Sequence, residues 1–326
     1  MITAGGSSPN IFNAPENRTS TSIFANRRWS LSNVSIDSRY SILGMLLIAP
    51  SVVAICFVIV YPLVYAIYLS FFSIYTPTLK GNWVGLGNYR DILLSGDFYM
   101  ALRVTVVWTI GTLFLQVVGG IAVALLLNQN ILFRSMARGL ILFPYFVSTV
   151  VAVLVWRWLF NDLYGILNHL MIRTGLIDMP INWLGEMPNA MLSIIFVGAW
   201  KYFPFVVIAV LARLQTIPQQ LYEASTIDGA GAWSQFWDVT LPQLREVLTV
   251  VILLRIIWDF KEFDLIYLLT GGGPFNETRT LPLLVYQAAF GLNQMGRAST
   301  YAIAMMLFML VLMGLFLART RKKAGA

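Results

Sequence analysis

The stretch QLYEASTIDGAGAWSQFWDVTLPQL, residues 220–244, interrupts a chain that is otherwise strongly apolar. It carries three acids, Glu223, Asp228 and Asp238, and no base. Its pattern is that of two short helices around a glycine turn. Thr216 is placed to cap the first helix, and Pro218 suits the first turn, where a missing N–H is harmless. Residues 219–228 then read as helix. Gly229 stands where the backbone must turn left-handed to leave it. In the second helix Trp233, Phe236 and Trp237 fall at i, i+3 and i+4, on one side. Pro242 is expected to end that helix. Such an insert suits either an interfacial connector or a knob on which a soluble partner docks.

Apolar runs flank it at 191–214 and 248–269, and four more lie at 42–72, 102–127, 140–160 and 298–318. Each approaches the roughly 20 apolar residues that cross a bilayer as a helix. The expected fold is therefore all-α: a polytopic membrane protein with six transmembrane helices. Pro50 and Pro62 should tilt or kink the first, and charge interrupts the fifth. The chain is 58 % hydrophobic and only 11 % charged, against roughly a quarter charged in soluble domains. Buried helices of a soluble protein would need a water-facing polar half that these runs lack.

The net charge of +7 acquires meaning from its location. The segments before the first span, between the second and third, between the fourth and fifth, and after the sixth hold twelve Lys and Arg; the alternate loops hold six. The positive-inside rule then puts both termini and the 215–245 loop in the cytoplasm. The basic excess is a topology signal, and no nucleic-acid partner is expected. Residues 1–40, rich in Ser, Asn, Thr and Arg, read as a disordered cytoplasmic tail without the apolar core of a secretory signal. Residues 41–318 form the membrane domain and 319–326 a basic tail. Among the outer loops, Trp83, Tyr89, Phe98, Tyr99 and Trp183 suit short interfacial helices, and LTGGGPF, 269–275, closes the fifth span with helix breakers. One cysteine, Cys56, and one histidine, His169, allow neither an internal disulfide nor a Cys/His metal site. No nucleotide-binding, zinc-protease or nucleophile-elbow motif is present. The chain is not expected to be an enzyme.

Charges at bilayer depth are costly and usually line a cavity or pair with one another. Lys201 lies in the fourth span, and Arg255, Asp259, Lys261, Glu262 and Asp264 in the fifth. Arg255, Trp258, Asp259 and Glu262 stand at i, i+3, i+4 and i+7, which puts them on one helical face. Such a stripe suits a polar path. It equally suits internal pairing between subunits, or a proton relay in a stand-alone secondary transporter.

The insert resembles the EAA loop of ABC-importer permeases, through Glu223-Ala224-Ser225, Asp228-Gly229-Ala230 and Leu241-Pro242. FDLIYLLTGGGP (263–274), AWKYFPF (199–205) and FPYFVSTVVAVLVWRWLF (143–160) are similar to sugar permeases of the maltose and glycerol-phosphate type. The resemblance extends from about residue 41 onward. It implies an inner-membrane permease subunit paired with a second, homologous permease. It also implies a cytoplasmic dimer of ATP-binding cassette subunits, which use ATP-Mg, and a periplasmic or lipid-anchored sugar-binding protein. On this resemblance Tyr222, Glu223, Ala224, Ser225, Asp228, Gly229 and Ala230 couple to the ATPase. Lys201, Tyr202, Phe205, Arg255, Trp258, Asp259 and Glu262 fall where the maltose-type permease holds its cargo. The charges here depart from that family's mostly uncharged pattern, so the expected cargo is a sugar or sugar derivative, including one with an anionic group. Lys201 and Arg255 would then meet the anion, and Asp259 and Glu262 would accept hydroxyls.

Overall fold

The computed structural model describes residues 38–78, 80–130 and 132–324. All but the last three residues of the expected N-terminal tail lie outside them. The described chain is helical apart from one small hairpin, and it divides into two compact units, Met1–Ile59 and Val60–Ala326.

The first unit contains α1 (Ser38–Ile55), which carries Pro50 and runs into a π turn, Cys56–Val60. From Met45 on, its large apolar side chains are exposed all round. A helix of that kind has a lipid environment as its natural solvent.

The second unit opens with α2 (Tyr61–Leu69), then the hairpin β1 (Phe72–Tyr75) and β2 (Lys80–Trp83). The strands pair antiparallel with Phe72 opposite Trp83. Next come α3 (Gly87–Leu94), α4 (Gly96–Asn128), α5 (Arg134–Phe146), α6 (Thr149–Leu159), α7 (Ile166–Arg173) and α8 (Asn189–Leu214). The insert supplies α9 (Gln219–Ile227) and α10 (Ala232–Gln235). The chain ends with α11 (Leu241–Phe260), α12 (Asp264–Thr270), α13 (Leu281–Tyr286) and α14 (Met295–Ala324). The basic residues from Arg319 onward thus fall on the last turns of α14.

The centre of this unit is the crossing of α4 and α8, with α11 packed on both. Small residues set that approach, as they do between helices in lipid, where packing rather than the hydrophobic effect drives association. Trp108 of α4 is fully buried and brings the edge of its ring against Gly198 of α8: a Cβ there would sit 2.4 Å from the indole Cη2. The same indole donates from Nε1 to the Asp259 carbonyl at 2.9 Å, so one side chain ties three helices. We expect Gly198→Val to cut the yield of folded protein severalfold, measured as the monodisperse fraction after detergent extraction. A wild-type elution profile would contradict this packing.

Among the described residues, four helices are long and apolar enough to cross a membrane: Gly44–Leu69, Gly96–Asn128, Asn189–Leu214 and Met295–Ala318. The remaining two expected crossings are both broken. The third is a helix pair, α5 and α6, bent by 97°. Pro144 in the last turn of α5 has no N–H to give its ladder, and Val147 leaves the helix in extended conformation. The fifth stops at Phe260 and restarts at Asp264, where four consecutive residues bear three charges. The architecture is compatible with six crossings, but two of them are not straight rods.

Three local expectations are corrected. Thr216 does not cap α9; its hydroxyl donates back to the Arg213 carbonyl at 2.8 Å, and Pro218 occupies the N-cap position. Pro242 does not end the second helix of the insert but sits in the first turn of α11. A π turn, Phe236–Thr240, joins α10 to α11, with Leu241 N donating to Phe236 O five residues back. The wider turn accommodates a ring that would clash with an i−4 carbonyl. Trp83 and Trp183, both expected on interfacial helices, lie respectively on β2, stacked on Phe71, and in a turn between α7 and α8.

Candidate functional site

Two sites merit description, and α11 joins them. The first is the insert. Here α9 ends at Asp228, and Gly229 adopts φ +81°. Ala230 N donates to Ser225 O at 2.9 Å and Gly229 N to Thr226 O at 3.0 Å. This 6→1 and 5→2 pair is a Schellman motif, which satisfies carbonyls a helix end would otherwise orphan. Hydrogen bonds then hold the second arm against the first. Gln235 Nε2 donates to Thr226 Oγ1 at 2.9 Å, and the Tyr222 and Thr240 hydroxyls share a bond of 3.0 Å. Ser225 Oγ donates to Tyr222 O at 2.8 Å, inside α9. The half-buried Tyr222 packs on the cluster of Val210, Leu214 and Leu244. Glu223, Ala224, Asp228 and Gly229 are exposed, as are Trp233 and Trp237. The result is a braced knob with an acidic and aromatic surface.

The second site is a cavity of about 350 Å³ at the break between α11 and α12. It is lined by Tyr145 of α5 and Tyr202 of α8, by Arg255 and Trp258 of α11, and by the break residues from Lys261 to Asp264. Arg255 is 2 % exposed and doubly held. Its Nε donates to Gln116 Oε1 of α4 at 2.7 Å, and its Nη2 makes an ion pair with Asp259 Oδ1 one turn along. Gln116 Nε2 lies 3.5 Å from the same carboxylate oxygen, which closes a buried triangle across α4 and α11. The guanidinium carbon also sits 4.6 Å from the Tyr202 ring centre and 5.6 Å from that of Trp258, both within cation–π range.

Glu262 is fixed by the break itself. It accepts from the Tyr202 hydroxyl at 3.0 Å and from Leu265 N, in the first turn of α12, at 3.2 Å. A carboxylate beside a helix N-terminus meets unpaired N–H groups and a favourable dipole. Phe205 packs edge-on against Trp258, with centroids 5.1 Å apart, and so backs the cavity wall.

The structure therefore divides the seven sequence candidates. Tyr202, Arg255, Trp258 and Glu262 line the cavity. Phe205 supports Trp258 from behind, Asp259 is fully buried against Arg255, and Lys201 turns to the Val147 carbonyl. The expected single helical stripe is corrected too: Glu262 lies beyond the end of α11 and reaches the cavity from a turn. Sequence reasoning missed Gln116 and Tyr145. Gln116 had a signal, as a lone amide in the middle of a long apolar run. Tyr145 had none; it comes to the site through the packing of α5 on α8, where it stacks on Phe205.

Residues 116–323 match the family described as binding-protein-dependent transport system inner membrane component. The trehalose/maltose transport system permease protein MalF of Thermococcus litoralis is 36 % identical over 83 % of this chain and 90 % of its own length. The sulfoquinovosyl glycerol transport system permease protein SmoG of Agrobacterium fabrum is 32 % identical over 88 % of this chain and 93 % of its own. In fold, the chain superposes on a bacterial ABC transporter involved in importing the acidic polysaccharide alginate. The TM-score is 0.76 at 20 % identity, covering 87 % of this chain and 96 % of that one. A stand-alone proton-coupled transporter is not consistent with these matches. The chain belongs to the binding-protein-dependent transport system inner membrane components, as a non-catalytic, multi-pass permease subunit of an ABC importer.

Proposed function

We propose that this subunit forms half of the pathway of an ATP-driven carbohydrate importer, and that its cargo passes through the cavity at the α11–α12 break. The observation that carries this reading is the convergence there of aromatic faces with fixed charged groups. Trp258 and Tyr202 offer faces for a sugar ring. Glu262 and Asp264 accept hydroxyl protons, and Arg255 and Lys261 donate to hydroxyls or to an acidic substituent. The names of the relatives, for trehalose or maltose and for sulfoquinovosyl glycerol, support a carbohydrate of either charge type. The setting is the bacterial inner membrane, with both termini and the insert in the cytoplasm.

The partners are a second homologous permease, a dimer of ATP-binding cassette subunits and a periplasmic or lipid-anchored sugar-binding protein. ATP-Mg belongs to the cassette subunits. Their closure moves the docked insert, and α10, the π turn and α11 carry that displacement to the cavity. Glu223, Asp228 and the segment from Tyr222 to Ala230 form the gripped surface. Alternating access follows, outward toward the loaded binding protein and inward on release.

The test is uptake of labelled sugar by the assembled importer with Trp258→Ala. Loss of one stacking face of roughly 1 kcal/mol should raise KM roughly fivefold to tenfold. Unchanged uptake by a fully assembled complex would remove this cavity from the pathway.

A further inference from the structure

Lys201 is a buried cation that neither lines the cavity nor forms an ion pair among the described residues. It is 3 % exposed, and its Nζ donates to the Val147 carbonyl at 2.6 Å. Val147 is the residue at which α5 stops, and from there the chain turns through 97° into α6. Inside a membrane domain a freed carbonyl needs a partner, because no lipid group supplies one. On either side of the elbow two carbonyls are met by backbone donors: Phe143 O accepts from Val147 N at 3.2 Å, and Ser148 O from Ala152 N at 2.9 Å. Val147 O has no such donor in its own segment, and α8 delivers one. An ammonium at the C-terminal end of α5 also opposes the negative pole of that helix.

We infer that Lys201 is a positioning residue that pins the α5–α6 elbow and thereby sets the shape of the cavity. The elbow carries Tyr145 two residues before Val147, and α8 carries Tyr202 one residue after Lys201. Both tyrosines line the cavity. The Lys201–Val147 bond therefore fixes the spacing of two walls that belong to different helices. Within its surroundings the ammonium also lies 5.5 Å from the Tyr202 ring centre, whose hydroxyl is held by Glu262. This assigns Lys201 to holding the site and not to meeting an acidic group on the cargo.

The test uses the complete importer in lipid, with Cys56 replaced by Ser and spin labels at Leu140→Cys and Leu154→Cys. These sites are 64 % and 60 % exposed on the two arms of the elbow. Lys201→Met should broaden the inter-label distance distribution, and Lys201→Arg, which restores a cationic donor, should narrow it again. Val147→Gly, which loosens the same elbow with Lys201 intact, should broaden it as Lys201→Met does. This arm is independent of what the cargo is. The uptake arm rests on the proposed function: Lys201→Met should raise KM about tenfold, as loss of a buried partner predicts, equally for uncharged and acidic sugars. A distribution that stays narrow in Lys201→Met while Val147→Gly broadens it would overturn the inference. So would Lys201→Arg behaving like Lys201→Met in both arms, or a Lys201→Met defect confined to acidic sugars.

Discussion

Replacing Arg255 by Met should abolish uptake and strongly reduce the amount of assembled importer. Adding Asp259→Leu to it should bring assembly most of the way back without restoring uptake. The reason is the asymmetry of buried ion pairs. The pair of Arg255 and Asp259 is almost completely withdrawn from solvent. Removing one member strands the other charge in a low-dielectric interior, at about 3–5 kcal/mol, whereas removing both is often close to neutral. A loss of that size is comparable to a large share of a typical protein's stability. Recovery in the double variant is incomplete, because Gln116 bonds both partners and would be left with an unpaired amide, at about 1–3 kcal/mol. Uptake stays low because the guanidinium is the group that faces Tyr202, Trp258 and the cavity. Thermal unfolding of the purified complex reads the first effect and labelled-sugar uptake the second. A double variant no more stable than Arg255→Met would mean that the pair is not the origin of the stability loss. Full uptake by the double variant would mean that Arg255 plays no part in transport.

The sequence is legible here wherever physics acts locally. The length of uninterrupted apolar sequence locates the spans, Gly229 announces a left-handed turn, and the stripe Trp233, Phe236 and Trp237 marks the second arm of the insert. The charges of the fifth span were also visible, since an ionisable residue in an apolar run stands out against its background. What was not legible depends on elements meeting. Lys201 and Arg255 look alike in the sequence, as single cations in apolar helices. Only packing shows that one is turned to the carbonyl of Val147 and the other is braced by Gln116 and Asp259 at the cavity edge. Pro242 misled for a related reason. Proline ends a helix whose hydrogen bonds run to the fourth residue back, but a single π turn before it removes the clash. No propensity scale signals that turn, which sits where α10 is braced against α9.

The π turn also shapes the largest expected effect at the insert. Because α10 runs into α11 without a break in helical backbone, the knob and the cavity stand at two ends of one lever. At 1.5 Å per residue, the 20 residues of α11 span about 30 Å. On the proposed function, a change in how a partner grips the knob would therefore be felt at Arg255 and Trp258. Glu223→Lys should reduce uptake by at least about a hundredfold, since reversing a charge at a docked interface costs several kcal/mol. The cassette subunits should then fail to co-purify. Gly229→Val acts differently. No atom lies within 4 Å of where its Cβ would be, so the side chain has room; the difficulty is φ +81°. A non-glycine residue there costs about 1–2 kcal/mol, and a β-branched one more. The Schellman motif should open and the two arms separate. We expect an importer that assembles but transports about tenfold less per ATP hydrolysed. Gly229→Asn should remain close to wild type, because asparagine tolerates the left-handed region. If Gly229→Val and Gly229→Asn were equally active, the turn geometry would have no part in coupling. Equal loss in both would instead place the effect on contact with the partner surface, since both add a side chain and only one strains the backbone.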